Sequence, residues 1–225
     1  MFYFDLNYLL FISPAIALSL VATVWVKSAF SKWQRRALSS QMSGAQAARL
    51  LLDASGLRDV RIERVSGFMS DHYDPRAKVL RLSPAVHDGR SVSAVGVAAH
   101  EAGHALQDKE RYTPLVWRTA LVPIASIGSN LTWILLMVGV FFQISQLYTA
   151  AVVLFGGVVL FQLVTLPVEF NASSRAKAAL ASHGIVSQVE LGGVSSVLTA
   201  AAMTYVAAAL TAILQFVYFF LRARD

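Results

Sequence analysis

Four long apolar stretches punctuate the chain. The first, Tyr8 to Val26, is long enough to cross hydrocarbon with some tilt. The second, Leu121 to Phe142, is interrupted only by Ser126, Ser129, Asn130 and Thr132, small polar residues that neighbouring helices can satisfy. A short uncharged turn, Gln143 to Thr149, leads to the third, Ala150 to Val168, where Gly156-Gly157 marks a close-packing or kink point. The fourth, Val194 to Leu221, is rich in Ala and longer than one bilayer requires, so its first turns are free to pack on polar parts of the chain.

The segment between the first two stretches has the patterning of a folded domain. Ser43 is placed as an N-cap; Ala47, Leu50, Leu51 and Ala54 form one apolar stripe, and Gly56 is placed to stop that helix near Leu57. Val60 to Val65 alternates as a strand does, and Lys78 to Ser83 is a second candidate. Between them Gly67 and Asp71-His-Tyr-Asp-Pro75 carry turn chemistry, which predicts a small hairpin or sheet. Ser91 or Ser93 then opens a helix that runs to about Lys109 and ends before Pro114. Its uninterrupted apolar run, Ala94 to Ala99, is far too short to span a membrane.

Composition agrees with a membrane protein: 56% of the 225 residues are hydrophobic and 14% charged, where soluble domains carry about 25% charged residues. The net charge is +6, yet the aromatics lie inside apolar runs rather than beside basic clusters, which argues against nucleic-acid binding. Cysteine is absent, which excludes disulfides, thiolate nucleophiles and Cys-ligated metals. Lys27, Lys32, Arg35 and Arg36 follow the first stretch and nothing basic precedes it, the reverse of a cleavable signal peptide, so it reads as an uncleaved anchor with its N-terminus outside. All Lys and Arg except Arg222 and Arg224 fall between the first and second stretches or, as Arg175 and Lys177, after the third, which places both polar segments on the cytoplasmic side.

The expected architecture is an α-helical multi-spanning membrane protein with about four transmembrane helices and a small α+β domain between the first and second. Its parts are an anchor at 1–30, a cytoplasm-facing α+β segment at 31–113, helices two and three at 114–168, a polar segment at 169–193, and a fourth helix with a basic tail at 194–225.

Within the α+β segment, His100-Glu-Ala-Gly-His104 stands out, with Gln107 one turn beyond. On a helix, residues four apart sit about 40° apart around the axis and roughly 6 Å apart along it, so two imidazoles can reach one metal ion. Glu101 points to the side, where its carboxylate can meet a metal-bound water, the arrangement of a zinc hydrolase. A chance His-Glu-x-x-His in a chain this long falls below about 1%, so the spacing is read as chemistry. Catalytic zinc takes three protein ligands plus water, and His72, His87, His183, Asp88, Glu169 and Glu190 are candidates for the third. Topology favours Glu169. The His104 helix leads into span two, span three returns the chain to the same membrane face, and Glu169 is among the first residues out of it. A carboxylate at the end of an apolar helix is costly without a partner.

The His-Glu-Ala-Gly-His motif, the downstream Glu169-Phe-Asn-Ala-Ser-Ser-Arg-Ala176, the Asp71-His-Tyr-Asp-Pro75 segment and the four-span layout resemble the YugP-like neutral zinc metallopeptidases, small bacterial membrane enzymes. More distantly the chain is similar to the HtpX heat-shock proteases and type I CAAX prenyl proteases, which are gluzincins. The resemblance implies a zincin-like fold for the α+β domain, one Zn²⁺ per chain on His100, His104 and Glu169, Glu101 as general base, and a bacterial cytoplasmic membrane location, where the distribution of Lys and Arg turns the active site to the cytoplasm. The distant relatives carry an aspartate four residues after the ligand Glu, orienting a ligand His. Here that position is Ser173, so Asp108, Asp71 or Asn171 are alternative supporting groups. Arg175 and His72 are candidates for stabilising the oxyanion, and the strand at Lys78 to Ser83 for pairing with an extended substrate. The expected partners are protein or peptide substrates in or near the bilayer, and the lipid itself; the oligomeric state is not legible. Two rivals stand beside this reading. An intramembrane site-2-type protease would need a downstream Asp-Gly motif, but Asp88-Gly89 lies upstream in polar sequence. A membrane scaffold or chaperone-like protein could instead hold zinc structurally, with four protein ligands.

Overall fold

The computed structural model describes residues 6–223. In chain order the elements are α1 (Leu6–Gln34), α2 (Gly44–Ala54), β1 (Arg61–Arg64), β2 (His72–Asp74), β3 (Val79–Leu82), α3 (Pro84–His87), α4 (Val92–Lys109), α5 (Thr113–Phe141), α6 (Ser145–Ser182) and α7 (Gln188–Arg222). By length and composition α1, α5, α6 and α7 can each cross a membrane. The described residues form two compact units. One comprises 6–23, 114–167 and 203–223, the other Val24–Thr113 and Val168–Ala202.

In the first unit the outward faces are apolar. Leu10, Leu20 and Val21 of α1, Ile127, Ile134 and Met137 of α5 and Val153 of α6 are exposed, a surface suited to hydrocarbon. Inside, Leu136, Ala151, Val152, Phe155 and Phe219 form a core. Small residues let α5 and α6 approach: a Cβ on Gly157 would sit 2.8 Å from Ile124, and one on Gly128 would sit 3.3 Å from Val158. Between α1 and α7 the polar groups pair with each other, Gln215 donating to the Tyr8 hydroxyl at 3.1 Å and Ser19 meeting Thr211 at 3.3 Å.

The second unit is built around α4, which is buried along most of its length. Ser91 caps it by accepting from the Ala94 N–H. α2 begins with a capping box in which Ser43 and Gln46 satisfy each other's backbone N–H, and it ends where Gly56 adopts φ +73°. Leu51, Leu52, Val60, Leu80, Leu82, Val95 and Leu180 lie in its core. The start of α7 joins the same core through Val194, Val197 and Leu198, in accord with the surplus length of that apolar stretch. Glu190, in the first turn of α7, accepts from the backbone N–H and hydroxyl of both Ser39 and Ser187.

Four elements, β2, β3, α5 and α6, differ from expectation. The sheet has the order β1-β3-β2, with β1 parallel and β2 antiparallel to β3. The Asp71–Pro75 segment therefore holds a strand and not only turns. Asp74 makes the turn into β3 by accepting from the Arg76 and Ala77 N–H groups. Because β3 is the central strand, its edges are already paired, and the Lys78–Ser83 segment is unavailable to an extended substrate; β2 and β1 are the outer strands. Finally, polarity did not end the helices where apolarity did. α5 starts at Thr113, with Pro114 in its first turn, and α6 continues past Pro167 to Ser182 because the polar stretch is rich in alanine.

Candidate metal centre

Helical spacing puts His100 and His104 on one face of α4, their rings edge to face with centroids 4.8 Å apart. Glu169 comes from α6. Its Oε2 lies 3.3 Å from His100 Nε2 and 3.6 Å from His104 Nε2, and one donor atom from each of the three residues falls within 4.8 Å of the others. Four tetrahedral donors around zinc at about 2.0–2.1 Å stand roughly 3.3 Å apart, so these spacings and this nitrogen and oxygen donor set suit the ion. Glu169 is 2% exposed, and a carboxylate so deeply buried needs cationic or metal partners.

The two helices can bring these groups together because Gly103 lies between the histidines. A Cβ there would sit 2.7 Å from the Ala172 carbonyl oxygen, so the α4 and α6 backbones touch at that level. Gly103→Val is expected to push them apart, destabilising the protein by about 1–3 kcal/mol and weakening metal binding with it. Thermal unfolding and a zinc titration of the variant check this; parent-like values in both would remove Gly103 from the account.

Around the three donors, Ser173 Oγ meets His100 Nδ1 at 3.1 Å. His104 Nδ1 meets Gln107 Oε1 at 3.0 Å. Burial works against a proton on His104, but its hydrogen bond to Glu169 and the charges of Glu101 and Glu169 outweigh that cost and raise its pKa. A metal arriving there must displace a proton held more tightly than on a free imidazole. Glu101, itself buried, accepts from the Tyr73 backbone N–H at 3.1 Å. Tyr73 also donates its hydroxyl to Asp108 at 2.8 Å, and Lys78 reaches the same carboxylate at 2.6 Å. β2 is thus fastened to α4 at two points, about two helical turns apart. Burial, reinforced by the Asp108 carboxylate, holds the Tyr73 phenol protonated well above its ordinary range.

The other predicted residues lie elsewhere. Asn171 accepts from Gln107 Nε2 at 2.9 Å and from Arg175 Nε at 2.7 Å, while Arg175 also pairs with Glu110 at 2.7 Å and lies over the Tyr112 ring. Arg175 is therefore engaged in bracing α6 against the end of α4. His72 bonds the Ser70 carbonyl and lies 3.4 Å from Arg81, which also binds Asp74; Tyr73, between them in the strand, points the other way toward Asp108. Asp71 binds the Ser83 N–H and hydroxyl. His87 pairs with Asp88, and His183, just past the end of α6, bonds the Ala179 carbonyl. Two contributors went unassigned in the sequence. Gln107, fully buried, follows His104 by three positions and so shares its face, a signal that was available. The Tyr73 N–H is a backbone group, and nothing in a sequence announces where it points.

A family model described as "Putative neutral zinc metallopeptidase" matches residues 8–224. The chain is also 47% identical over 214 residues to the "Putative membrane protease YugP" of Bacillus subtilis (strain 168), covering 94% of this chain and 95% of that protein. The chain belongs to this metallopeptidase family. No solved structure matches it. The family's metal has a fitting donor set here in His100, His104 and Glu169.

Proposed function

We propose that this family member is a membrane-anchored zinc endopeptidase that cleaves membrane-associated or juxtamembrane proteins. The observation that carries the reading is the meeting of three zinc-type donors from α4 and α6 beside the carboxylate of Glu101. His100, His104 and Glu169 would hold the ion. When bound, zinc supplies an acidified water and a positive charge for the substrate carbonyl oxygen.

The protein's own groups do the rest. Glu101 takes the proton of the attacking water and later delivers it to the leaving amine. Its hydrogen bond from the Tyr73 N–H fixes the carboxylate without blocking both oxygens. Ser173 and Gln107 hold the outer nitrogens of the two imidazoles.

The cytoplasm-facing orientation rests on the distribution of Lys and Arg, which spares only Arg222 and Arg224. The chain has no cysteine, so a single Asp88→Cys is a clean reporter. In intact cells it is expected to resist a membrane-impermeant maleimide until the membrane is opened; immediate labelling would invert the topology. The scaffold reading is less favoured, because among the described residues the donor group has three members, and structural zinc sites use four. Stripping the purified protein with a chelator should abolish cleavage of an unfolded protein substrate, and zinc should restore it. Cleavage that persists without metal would contradict the proposal.

A further inference from the structure

Gln107 is buried without any exposed surface, yet every polar atom of its side chain is used. Its Nε2 lies 2.8 Å from the Val168 carbonyl oxygen and 2.9 Å from Asn171 Oδ1. A carbonyl oxygen can only accept, so the NH₂ end of the amide must face Val168, and the oxygen end must face His104. An amide oxygen in turn only accepts. His104 Nδ1, 3.0 Å away, therefore carries the hydrogen, so that once the ring is neutral its lone pair is on Nε2, the atom turned toward Glu169. His100 has no such constraint, because its partner Ser173 is a hydroxyl that can donate or accept.

The other end of the amide is as informative. Val168 immediately precedes Glu169, and Asn171 lies two residues beyond it. Asn171 Oδ1 is itself held by Arg175, which pairs with Glu110 just past the end of α4. We propose that Gln107 is the positioning residue of the metal centre: one amide sets the tautomer and ring orientation of His104 and ties it to the α6 backbone that presents Glu169. In doing so it supports a histidine with a neutral amide, where the distant relatives use an aspartate. The inference rests on the zinc reading above.

The test uses the full-length protein in detergent or nanodiscs, with zinc affinity measured by competition against a chromophoric chelator. Gln107→Met keeps the side chain's size and removes all three hydrogen bonds. It is expected to weaken zinc binding about 10- to 100-fold, the usual cost of losing a group that orients a ligand. Zinc should also raise its melting temperature less than it raises the parent's, and the visible spectrum of its cobalt-substituted form should change. A residue that merely fills space would lower the melting temperature equally with and without zinc and leave affinity and spectrum alone; that result overturns the proposal. If Gln107→Met does not fold, Asn171→Ala serves in its place. It removes one anchor of the amide and should weaken zinc binding several-fold, and parent-like affinity there would equally overturn the proposal. His104→Ala is the control for the underlying site. If it binds zinc like the parent, the metal reading fails; if it loses zinc while Gln107→Met does not, only the role of Gln107 fails.

Discussion

Glu101→Gln is expected to keep its zinc and lose peptide cleavage by about 10²- to 10⁴-fold, the range ascribed to a positioned general acid–base. The substitution is nearly isosteric. Glutamine can still accept from the Tyr73 N–H through its amide oxygen, so β2 should stay fastened to α4. What it cannot do is take a proton at neutral pH. None of the three metal-type donors is altered, so zinc content should match the parent's. Cleavage of an unfolded protein substrate, assayed beside metal analysis, checks both halves. A variant that cleaves at the parent rate removes Glu101 from the mechanism, and one that also loses zinc assigns it a structural task.

Much of the molecule was legible because its strongest signals are periodic. Apolar runs long enough to cross a bilayer announced α1, α5, α6 and α7, and the caps at Ser43 and Ser91 set the starts of α2 and α4. The i, i+4 spacing of His100 and His104 by itself puts both on one helical face. Glu169 needed a further step, the counting of membrane crossings, and the structure brings it within 3.3 Å of His100. Hydropathy failed where helix propensity and apolarity part company: the polar, alanine-rich 169–182 stretch continues α6. It failed again in the sheet. A three-residue strand such as β2 is held by its pairing with β3 and by Glu101 and Asp108 of α4, contacts remote in sequence. The hydrogen bonds of Asn171, Arg175 and Gln107 depend on the close contact of α4 and α6 at Gly103, which no local pattern encodes.

Glu169→Ala should have the other large effect. Three protein ligands share the binding energy of the ion. For zinc sites formed in small peptides the total is about 10–16 kcal/mol, so removing one ligand should cost on the order of 10³-fold in affinity. The loss should reach further, because Glu169 also draws His100 and His104 together, at 3.3 and 3.6 Å. Without it the two imidazoles lose the one carboxylate that meets both of them. Ser173 and Gln107 would still hold their outer nitrogens, so the fold around α4 should survive. The central claim is that one zinc ion sits among His100, His104 and Glu169. Elemental analysis of purified parent and Glu169→Ala protein tests it most directly. One zinc per parent chain and almost none in the variant is the predicted result. A variant that retains the parent's zinc would contradict it.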